Sequence, residues 1–234
     1  LDQVRQQVSA KQQDFHSANS RYYALKNISE RYEGYGSSIK RVMEQKKVCP
    51  GIIGVVADII KVEKKYETAM EIALGGSIQN IVTEDEETAK DLIAYLKKNR
   101  FGRATFLPLT SITVRGSGPD PKVLGEEGVI GLADSLVSCR EKYKTLVRFL
   151  LGRVVVVDHI DHALSLARKY KYSLRIVTLD GESLSPGGSL SGGAYKNSGN
   201  LLGRSRELDE LSKKVETIKQ EIDDLNQDQA RLQT

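Results

Sequence analysis

The sequence has 234 residues, of which 39% are hydrophobic and 28% charged, and its formal net charge is +4. That apolar content is enough for a globular core. No apolar stretch approaches the roughly 18 residues of a membrane span, and no basic-then-apolar leader opens the chain. We therefore expect a cytoplasmic protein without a membrane partner. Cys49 and Cys139 lie far apart and are predicted to be reduced thiols.

The first segment, residues 1–33, is predicted to be a coiled-coil helix because apolar residues recur at spacings of three and four. Lys11 and Ser29 interrupt the pattern, and Gly34 and Gly36 are predicted to end the helix. The chain starts inside this pattern and without a methionine, so we expect it to be a piece of a longer protein. The apolar positions are Leu1, Val4, Val8, Phe15, Ala18, Tyr22, Leu25 and Tyr32.

The middle of the chain alternates strand-like and helix-like patterns, which indicates an α/β (α+β) fold with mixed sheets. A strand at 81–83, a helix over 89–98 and a strand at 104–107 form one unit. A similar unit follows at 154–157, 163–169 and 175–179. Acidic residues open both helices and basic residues close them, as the helix dipole favours. We infer two related half-domains.

The boundaries of these half-domains follow from composition. Half-domain 1 is predicted over 34–115 and half-domain 2 over 129–203, with a surface linker over 116–128 that is rich in Gly, Pro and charge. Within half-domain 1, residues 51–60 are expected to form a strand or a pair of strands, and residues 65–74 a helix that ends at the Gly75-Gly76 doublet.

The last segment, residues 204–234, repeats the heptad pattern without any Gly or Pro. The two end segments match in length, so we predict that they pair as an intramolecular antiparallel coiled coil. The alternative is two unrelated amphipathic helices that pack on the globular middle. The apolar positions are Leu208, Leu211, Val215, Ile218, Ile222, Leu225 and Leu232, with Gln229 in the one polar slot.

The most distinctive motif lies within Asp180–Gly193, where two glycine doublets surround Ser189 and Leu190. Glycine allows close approach of backbones, so we predict a short exposed strand that pairs with another chain. A flexible glycine loop and a nucleotide-binding loop are the alternatives, although the Lys-Ser/Thr of a phosphate-binding loop is absent. The predicted interface residues are Gly187, Gly188, Ser189, Leu190, Gly192 and Gly193.

Residues 158–162 read Asp-His-Ile-Asp-His, which has the composition of a metal cluster. Their spacing at the start of a helix favours a structural role instead, with Asp as the helix cap. We therefore predict no metal site, no catalytic residues and no cofactor. Nothing else in the sequence assembles a catalytic set, because His16 falls in the coiled coil and neither cysteine has a partner nearby.

The basic excess sits in the middle of the chain, where residues 34–203 hold 24 Lys and Arg against 19 Asp and Glu. One group runs from Lys97 to Arg103, a second from Arg168 to Arg175, and a third from Lys196 to Arg206. Such groups are either solvated faces or a patch for phosphates, and any contact with nucleic acid is expected to be sequence-independent. The candidates for such a contact are Lys97, Lys98, Arg100, Lys196 and Arg204.

Three stretches together resemble the hinge domain of bacterial SMC (structural maintenance of chromosomes) proteins. They are Gly75–Val82 (GGSIQNIV), Phe101–Leu109 (FGRATFLPL) and Pro186–Gly193 (PGGSLSGG), and they occur in the order typical of that family. Leu202–Leu208 (LGRSREL) also resembles the return into the coiled coil of those proteins. The chain lacks the Cys-x-x-Cys of zinc-hook relatives.

The resemblance implies a two-lobed hinge that homodimerises through strand edges around a two-fold axis, with the glycine doublets at the contact. It also implies DNA binding in chromosome condensation and segregation, accessory condensin subunits bound outside this segment, and a nucleoid location. ATP hydrolysis would belong to distant head domains, so the segment itself is not expected to be an enzyme. The alternatives are a coiled-coil apex that binds proteins only and a nucleotide-binding glycine-rich domain.

Overall fold

Two long helices, α1 (Asp2–Glu30) and α8 (Leu201–Gln233), dominate the ends of the chain. The computed structural model describes residues 2–195 and 200–233. The chain divides into two compact units, one formed by residues 1–33 with 204–234 and the other by 34–203. The second helix begins three residues before the predicted start at 204, and it includes Gly203, whose N–H is bound by the side chain of Asn200 at 2.7 Å.

The two helices of the first unit run antiparallel. Lys11 forms an ion pair with Glu221 and Arg21 with Glu207, so residue numbers rise along one helix as they fall along the other. The predicted seam is also the least exposed face, since Val8, Ala18, Leu211 and Ile218 are all buried. The prediction of an antiparallel coiled coil is confirmed, and the helices pair with each other instead of forming two independent amphipathic elements.

Lys11 occupies an apolar slot of the seam, which the sequence pattern marked as an imperfection. Its side chain is 39% exposed, and its ammonium group reaches the carboxylate of Glu221 on the other helix. The hydrogen bond to Glu221 and the charge of that carboxylate raise the pKa of Lys11. A long aliphatic stem with a charged end can cover a seam and still reach water, so the irregular position is compatible with pairing.

The second unit contains two mixed sheets. The smaller has the strand order β1-β3-β4, in which β1 is antiparallel to β3 and β3 is parallel to β4. Its elements are α2 (Ser37–Glu44), β1 (Ile52–Val55), α3 (Val56–Ile59), β2 (Lys61–Val62), α4 (Glu67–Leu74), β3 (Ile81–Thr83), α5 (Glu86–Asn99) and β4 (Phe106–Pro108).

The larger sheet has five strands in the order β10-β9-β8-β7-β5, with only β7 and β8 parallel. A third ladder of two strands pairs β2 with β6 and so joins the two parts of the unit. The elements are β5 (Val129–Leu132), β6 (Val137–Ser138), α6 (Lys144–Leu151), β7 (Val154–Val157), α7 (Ile160–Lys169), β8 (Arg175–Thr178), β9 (Ser183–Leu184) and β10 (Leu190–Ser191).

The mixed α/β fold and both predicted strand-helix-strand units are confirmed, and the repeat is longer than predicted. Each sheet also opens with an antiparallel strand whose register shifts once, at Ile52/Gly54 in β1 and at Val129/Gly131 in β5. The sequence carries a signal for this, because Gly51–Gly54 reads GIIG and Gly128–Gly131 reads GVIG.

Of the two alternatives for residues 51–60, the structure has the single strand and not the pair of strands. Only Ile52–Val55 is a strand, and Val56–Ile59 is a turn of helix. The carboxylate of Asp58 accepts a weak hydrogen bond from the N–H of Val55 at 3.4 Å, which favours the helical turn over a continued strand. Apolar runs of this length do not distinguish strand from buried helix, and here a local side-chain hydrogen bond decides.

The linker at 116–128 is mostly exposed, but it is not only a surface loop. Val123 is fully buried in the same core as Val155, Ile176 and Leu166. Farther along, Glu126 accepts hydrogen bonds from Lys169 at 2.8 Å and from the hydroxyl of Tyr170 at 3.0 Å, and these bonds lower the pKa of Glu126. The linker therefore packs on the larger sheet and its helix α7.

Candidate dimerisation edge and basic surface

The predicted interface residues lie at one edge of the five-stranded sheet. Strand β10 pairs on one side with β9, where Leu190 faces Leu184 and Ser191 faces Ser183, and it is the last strand of the sheet order. The side chain of Leu190 is 53% exposed. An apolar side chain on an edge strand with unpaired backbone groups is the typical starting point for pairing with another chain.

The strand is shifted by one residue from the prediction, which placed it at Ser189 and Leu190. Ser189 belongs to the turn, where its carbonyl accepts from the N–H of Ser185 at 2.9 Å, and the strand is Leu190–Ser191. Gly187 lies in the same turn and donates its N–H to the carbonyl of Tyr172 at 2.8 Å. The hairpin is therefore closed by its own backbone hydrogen bond and held by another to the loop between α7 and β8.

The glycines have conformational reasons to be there. Gly187 and Gly188 have φ values of 95° and 99°, a region that L residues with side chains rarely adopt. A Cβ at Gly187 would meet no atom within 4 Å, while one at Gly192 would press on the side chain of Glu182 at 3.1 Å. The backbone conformation at Gly187 favours glycine, whereas the space beside this residue is open within the chain.

The smaller sheet has an open edge at the equivalent position. In the repeat, β3-α5-β4 corresponds to β7-α7-β8, so β4 is the counterpart of β8. Strands β9 and β10 continue the sheet beyond β8, whereas β4 has no further strand among the residues that the structure describes. Leu107 is buried there, and Phe106 and Pro108 are partly exposed at the edge.

The predicted basic residues fall in different places. Lys97, Lys98 and Arg100 cluster at the C-terminal end of α5, where all three side chains are exposed, and Arg100 ends the helix with a φ of 55°. None of these three forms an ion pair with a carboxylate of the described ranges 2–195 and 200–233. Exposed Arg103 lies three residues beyond Arg100 and adds to the basic residues of this segment.

The other basic candidates that the structure describes are less available for binding phosphates. Lys196 lies outside the described residues. Arg204 belongs to the helical unit, where its guanidinium donates to the backbone carbonyl of Glu33 at 2.6 Å. In the second sequence group, Lys169 binds Glu126 and Arg175 binds the carbonyl of Ala73 at 2.7 Å, so both serve internal contacts.

One polar network was missed by the sequence reasoning. Glu71 on α4 accepts hydrogen bonds from the hydroxyl of Tyr195 and from the N–H of Leu202. Its neighbour Glu67, only 5% exposed, accepts from the side chain of Asn200 at 3.0 Å. Burial raises the pKa of Glu71, and burial together with the bond to Glu71 raises the pKa of Tyr195. No signal in the sequence marks these two glutamates, which look like any exposed helical pair.

The Asp158–His162 segment also departs from expectation. The residue before helix α7 is His159, which makes no side-chain cap, while Asp158 accepts from the N–H of His159 at 2.7 Å and lies 2.8 Å from Nδ1 of His162. The two imidazole rings stack with centroids 4.0 Å apart. The predicted Asp cap of α7 is thus wrong, and Asp158, His159 and His162 lie close together.

Comparison with known proteins identifies the family. Residues 49–167, about half of the chain, match the family described as SMC proteins Flexible Hinge Domain. The chain belongs to the SMC hinge family. It is 42% identical over 221 residues to the chromosome partition protein Smc of Desulfitobacterium hafniense and 40% identical over 214 residues to that of Bacillus subtilis. These alignments cover 89% and 90% of the hinge chain.

The solved structures agree with this assignment. The hinge chain superposes on a crystal structure of an asymmetric dimer of the Geobacillus stearothermophilus SMC hinge domain with a TM-score of 0.89 at 35% identity. That match covers 97% of the chain and 92% of the solved one. The chain spans only 18% of the length of the two curated relatives above. No helix within the described residues is long and apolar enough to cross a membrane.

Proposed function

We propose that this hinge domain is a homodimerisation module that joins two arms of a chromosome-partitioning SMC protein. The observation that carries the proposal is the exposed edge strand β10, with Leu190 at its surface and open space beside Gly187. The structural relative from Geobacillus stearothermophilus is itself a dimer of an SMC hinge domain. The segment acts as a binding module in this account, and no reaction is assigned to it.

The repeat suggests which edges meet. The smaller sheet ends at β4 where the larger one continues into β9 and β10. Strand β10 of one chain could pair with β4 of a second chain. The smaller sheet would then continue beyond β4, just as the larger sheet continues beyond β8. A two-fold axis makes this contact twice, so the three-stranded sheet of each chain would join the five-stranded sheet of its partner. This pairing occupies the β4 and β10 edges of both chains, so these two edges are no longer available to a third chain.

Substitution of the turn glycines tests this contact. Asparagine tolerates left-handed backbone conformations better than other residues, so Gly187→Asn with Gly188→Asn should fold while its side chains occupy the interface. Multi-angle light scattering should then report monomers. Gly125→Asn is the matched control, because a Cβ at Gly125 also meets open space but lies in the linker. A tight dimer of the double variant, or equal loss in the control, would contradict the assignment.

We also propose sequence-independent DNA binding by the basic cluster at Lys97, Lys98, Arg100 and Arg103. Support comes from the absence of carboxylate partners for these cations within the described ranges, which leaves their charge available for phosphates. Lys196 and Arg204 remain predictions as further contacts. The alternative is an apex that binds proteins only, and it is favoured if no DNA binds at low salt.

Charge reversal separates these outcomes. The triple variant Lys97→Glu, Lys98→Glu and Arg100→Glu should weaken binding in a gel-shift assay at least tenfold and lower the salt dependence by about one ion per lost contact. Lys46→Glu with Lys47→Glu is the control, since these are also adjacent exposed lysines of the same unit. Unchanged affinity in the triple variant would remove these residues from the site. Heat released on titration with ATP and magnesium would instead support a nucleotide site.

The functions of the whole protein belong to the same proposal. A role in chromosome segregation is supported by the relatives named as chromosome partition proteins. A role in condensation, ATP hydrolysis by distant head domains, accessory condensin subunits and a location at the nucleoid remain predictions from the resemblance. Deletion of the hinge from the full-length protein, with chromosome segregation as the readout, tests whether this segment is required for them.

A further inference from the structure

Three side chains of the kind that bind metals meet where β7 passes into α7. One ligand atom from each of Asp158, His159 and His162 lies within 4.8 Å of the other two. Nδ1 of His162 is 2.8 Å from Oδ1 of Asp158, and Nε2 of His159 is 4.0 Å from the same oxygen. This carboxylate oxygen is therefore the common neighbour of both imidazoles.

The linker supplies a carboxylate that contacts one of these imidazoles from its other side. The carboxylate of Glu127 lies 3.4 Å from Nε2 of His162, and its side chain is 87% exposed. Asp158 faces the other ring nitrogen, Nδ1, so Glu127 can accept a hydrogen bond from Nε2–H and fix the ring while Nδ1 faces an ion. The neighbouring Gly128 has a φ of 79°, and a Cβ there would lie 2.4 Å from Nδ1 of His162. The carbonyl of Gly128 also accepts from the N–H of Asp158 at 2.9 Å. Glycine thus allows the linker backbone to approach the imidazole directly.

The charges around this point suit a divalent cation. The carboxylates of Asp158 and Glu127 together balance two positive charges, which offsets the unfavourable positive end of the α7 dipole. The two imidazoles are stacked with an interplanar angle of 29°, so one ring must turn for both nitrogens to face one ion. The side chain of His159 is 47% exposed and has room to make that turn.

We propose that Asp158, His159 and His162 form a binding site for a divalent transition metal of the zinc class, with Glu127 orienting the His162 ring from its other nitrogen. Two imidazoles and one carboxylate oxygen match the ligand preferences of Zn²⁺, and three protein donors leave the fourth position of its tetrahedral geometry for water. Because Glu127 belongs to the linker and the other three to the β7–α7 junction, a bound ion ties the linker to the larger sheet through the contact of His162 with Glu127. The site is separate from both the β10 edge and the basic cluster.

Titration of the whole chain with Zn²⁺ after treatment with a chelator tests the proposal. Calorimetry should show one ion per chain with a Kd of about 1 to 10 µM, as expected for a partly exposed site. Co²⁺ at the same site should give the intense visible absorption of a tetrahedral complex. Bound Zn²⁺ should also raise the melting temperature of the chain and slow proteolysis within the linker.

Variants of the chain's own histidines give the decisive comparison. The sequence holds only three, so His159→Ala should weaken Zn²⁺ binding at least tenfold, while His16→Ala in the coiled coil should leave it unchanged. Asp158→Asn, which keeps the shape of the side chain, should weaken it similarly. The proposal is overturned if no binding occurs at about 100 µM Zn²⁺, or if folded His159→Ala and Asp158→Asn chains bind as tightly as the unmodified one.

Discussion

The two sheets of the hinge are alike in their centres and different at one edge. Each has a parallel pair of strands bridged by a helix and flanked by a bulged antiparallel strand. Only the larger sheet continues, through β9 and β10, beyond the second parallel strand. The repeated centre holds buried strands in both sheets, whereas the unequal edges give the same chain two different surfaces, one with an added hairpin and one without.

If the centres are equivalent, removing the same buried side chain from each should lower the free energy of unfolding equally. Leu92 on α5 and Leu166 on α7 occupy corresponding positions and are 4% and 3% exposed. Leu92→Ala and Leu166→Ala should each lower the free energy of unfolding by about 2 to 5 kcal/mol. Chemical denaturation measures both values, and a cost below about 1 kcal/mol for either one would break the equivalence.

If the edges differ in role, an exposed leucine at β10 should matter for assembly alone. Leu190→Asp should weaken dimerisation at least tenfold, about 1.4 kcal/mol, with little change in unfolding of the single chain. Leu124→Asp in the linker is the matched control, because Leu124 is 50% exposed and Leu190 is 53% exposed. Sedimentation velocity distinguishes them, and equal behaviour of the two variants would argue against the β10 contact.

The starts of the two central helices provide a finer contrast. Asp85 caps α5 by accepting from the N–H of Thr88 at 2.8 Å, while His159 at the corresponding position makes no cap on α7. Asp85→Ala should therefore cost about 1 kcal/mol of stability, and His159→Ala should cost less than half as much in metal-free buffer. Thermal unfolding under chelation tests the difference; similar losses would mean that the cap geometry is not what separates the helices.

The smallest expected effect is a dependence of stability on pH that comes from His162, next to the larger sheet. The hydrogen bond to Asp158 and the charges of Asp158 and Glu127 raise the pKa of His162, whereas the corresponding residue on α5 is Thr88, which does not titrate. Native His162 holds its proton more tightly than the unfolded chain does. Its stabilisation is therefore complete below about pH 6.5 and is lost as pH rises through the higher folded value.

Comparison of the unmodified chain with His162→Gln measures this contribution. The difference in unfolding free energy should be larger at about pH 5.5 than at about pH 8.5 in metal-free buffer. Thr88→Gln serves as the control at the corresponding position of α5. A difference that stays constant between the two pH values would contradict the assigned ion pair.

Much of this architecture was predictable because it follows from the spacing of apolar residues and from local chemistry. The heptad seam predicts the pairing of α1 with α8, and the valine run at 154–157 with its flanking charges predicts β7 and α7. Glycine doublets predict an exposed edge near Leu190 because they leave little side chain to bury. These features depend on residues that are close in sequence.

What the sequence did not predict depends on contacts between distant residues. Val123 looks like an isolated apolar residue in a polar linker, yet it is buried against a strand more than thirty positions away. Glu67 and Glu71 resemble a solvated helical face until Asn200 and Tyr195 pack over them. The predicted helix cap at Asp158 was wrong for a different reason. A shift of one residue in the start of a helix changes which side chain stands at the cap position.

The central claim is that the chain dimerises through its unequal edges, and the mass of the chain in solution tests it most directly. Sedimentation equilibrium at micromolar concentration should give twice the mass of one chain for the unmodified protein. The Gly187→Asn, Gly188→Asn variant should give the mass of a single folded chain under the same conditions. A single-chain mass for the unmodified protein, or a persistent dimer of the folded variant, would contradict the account.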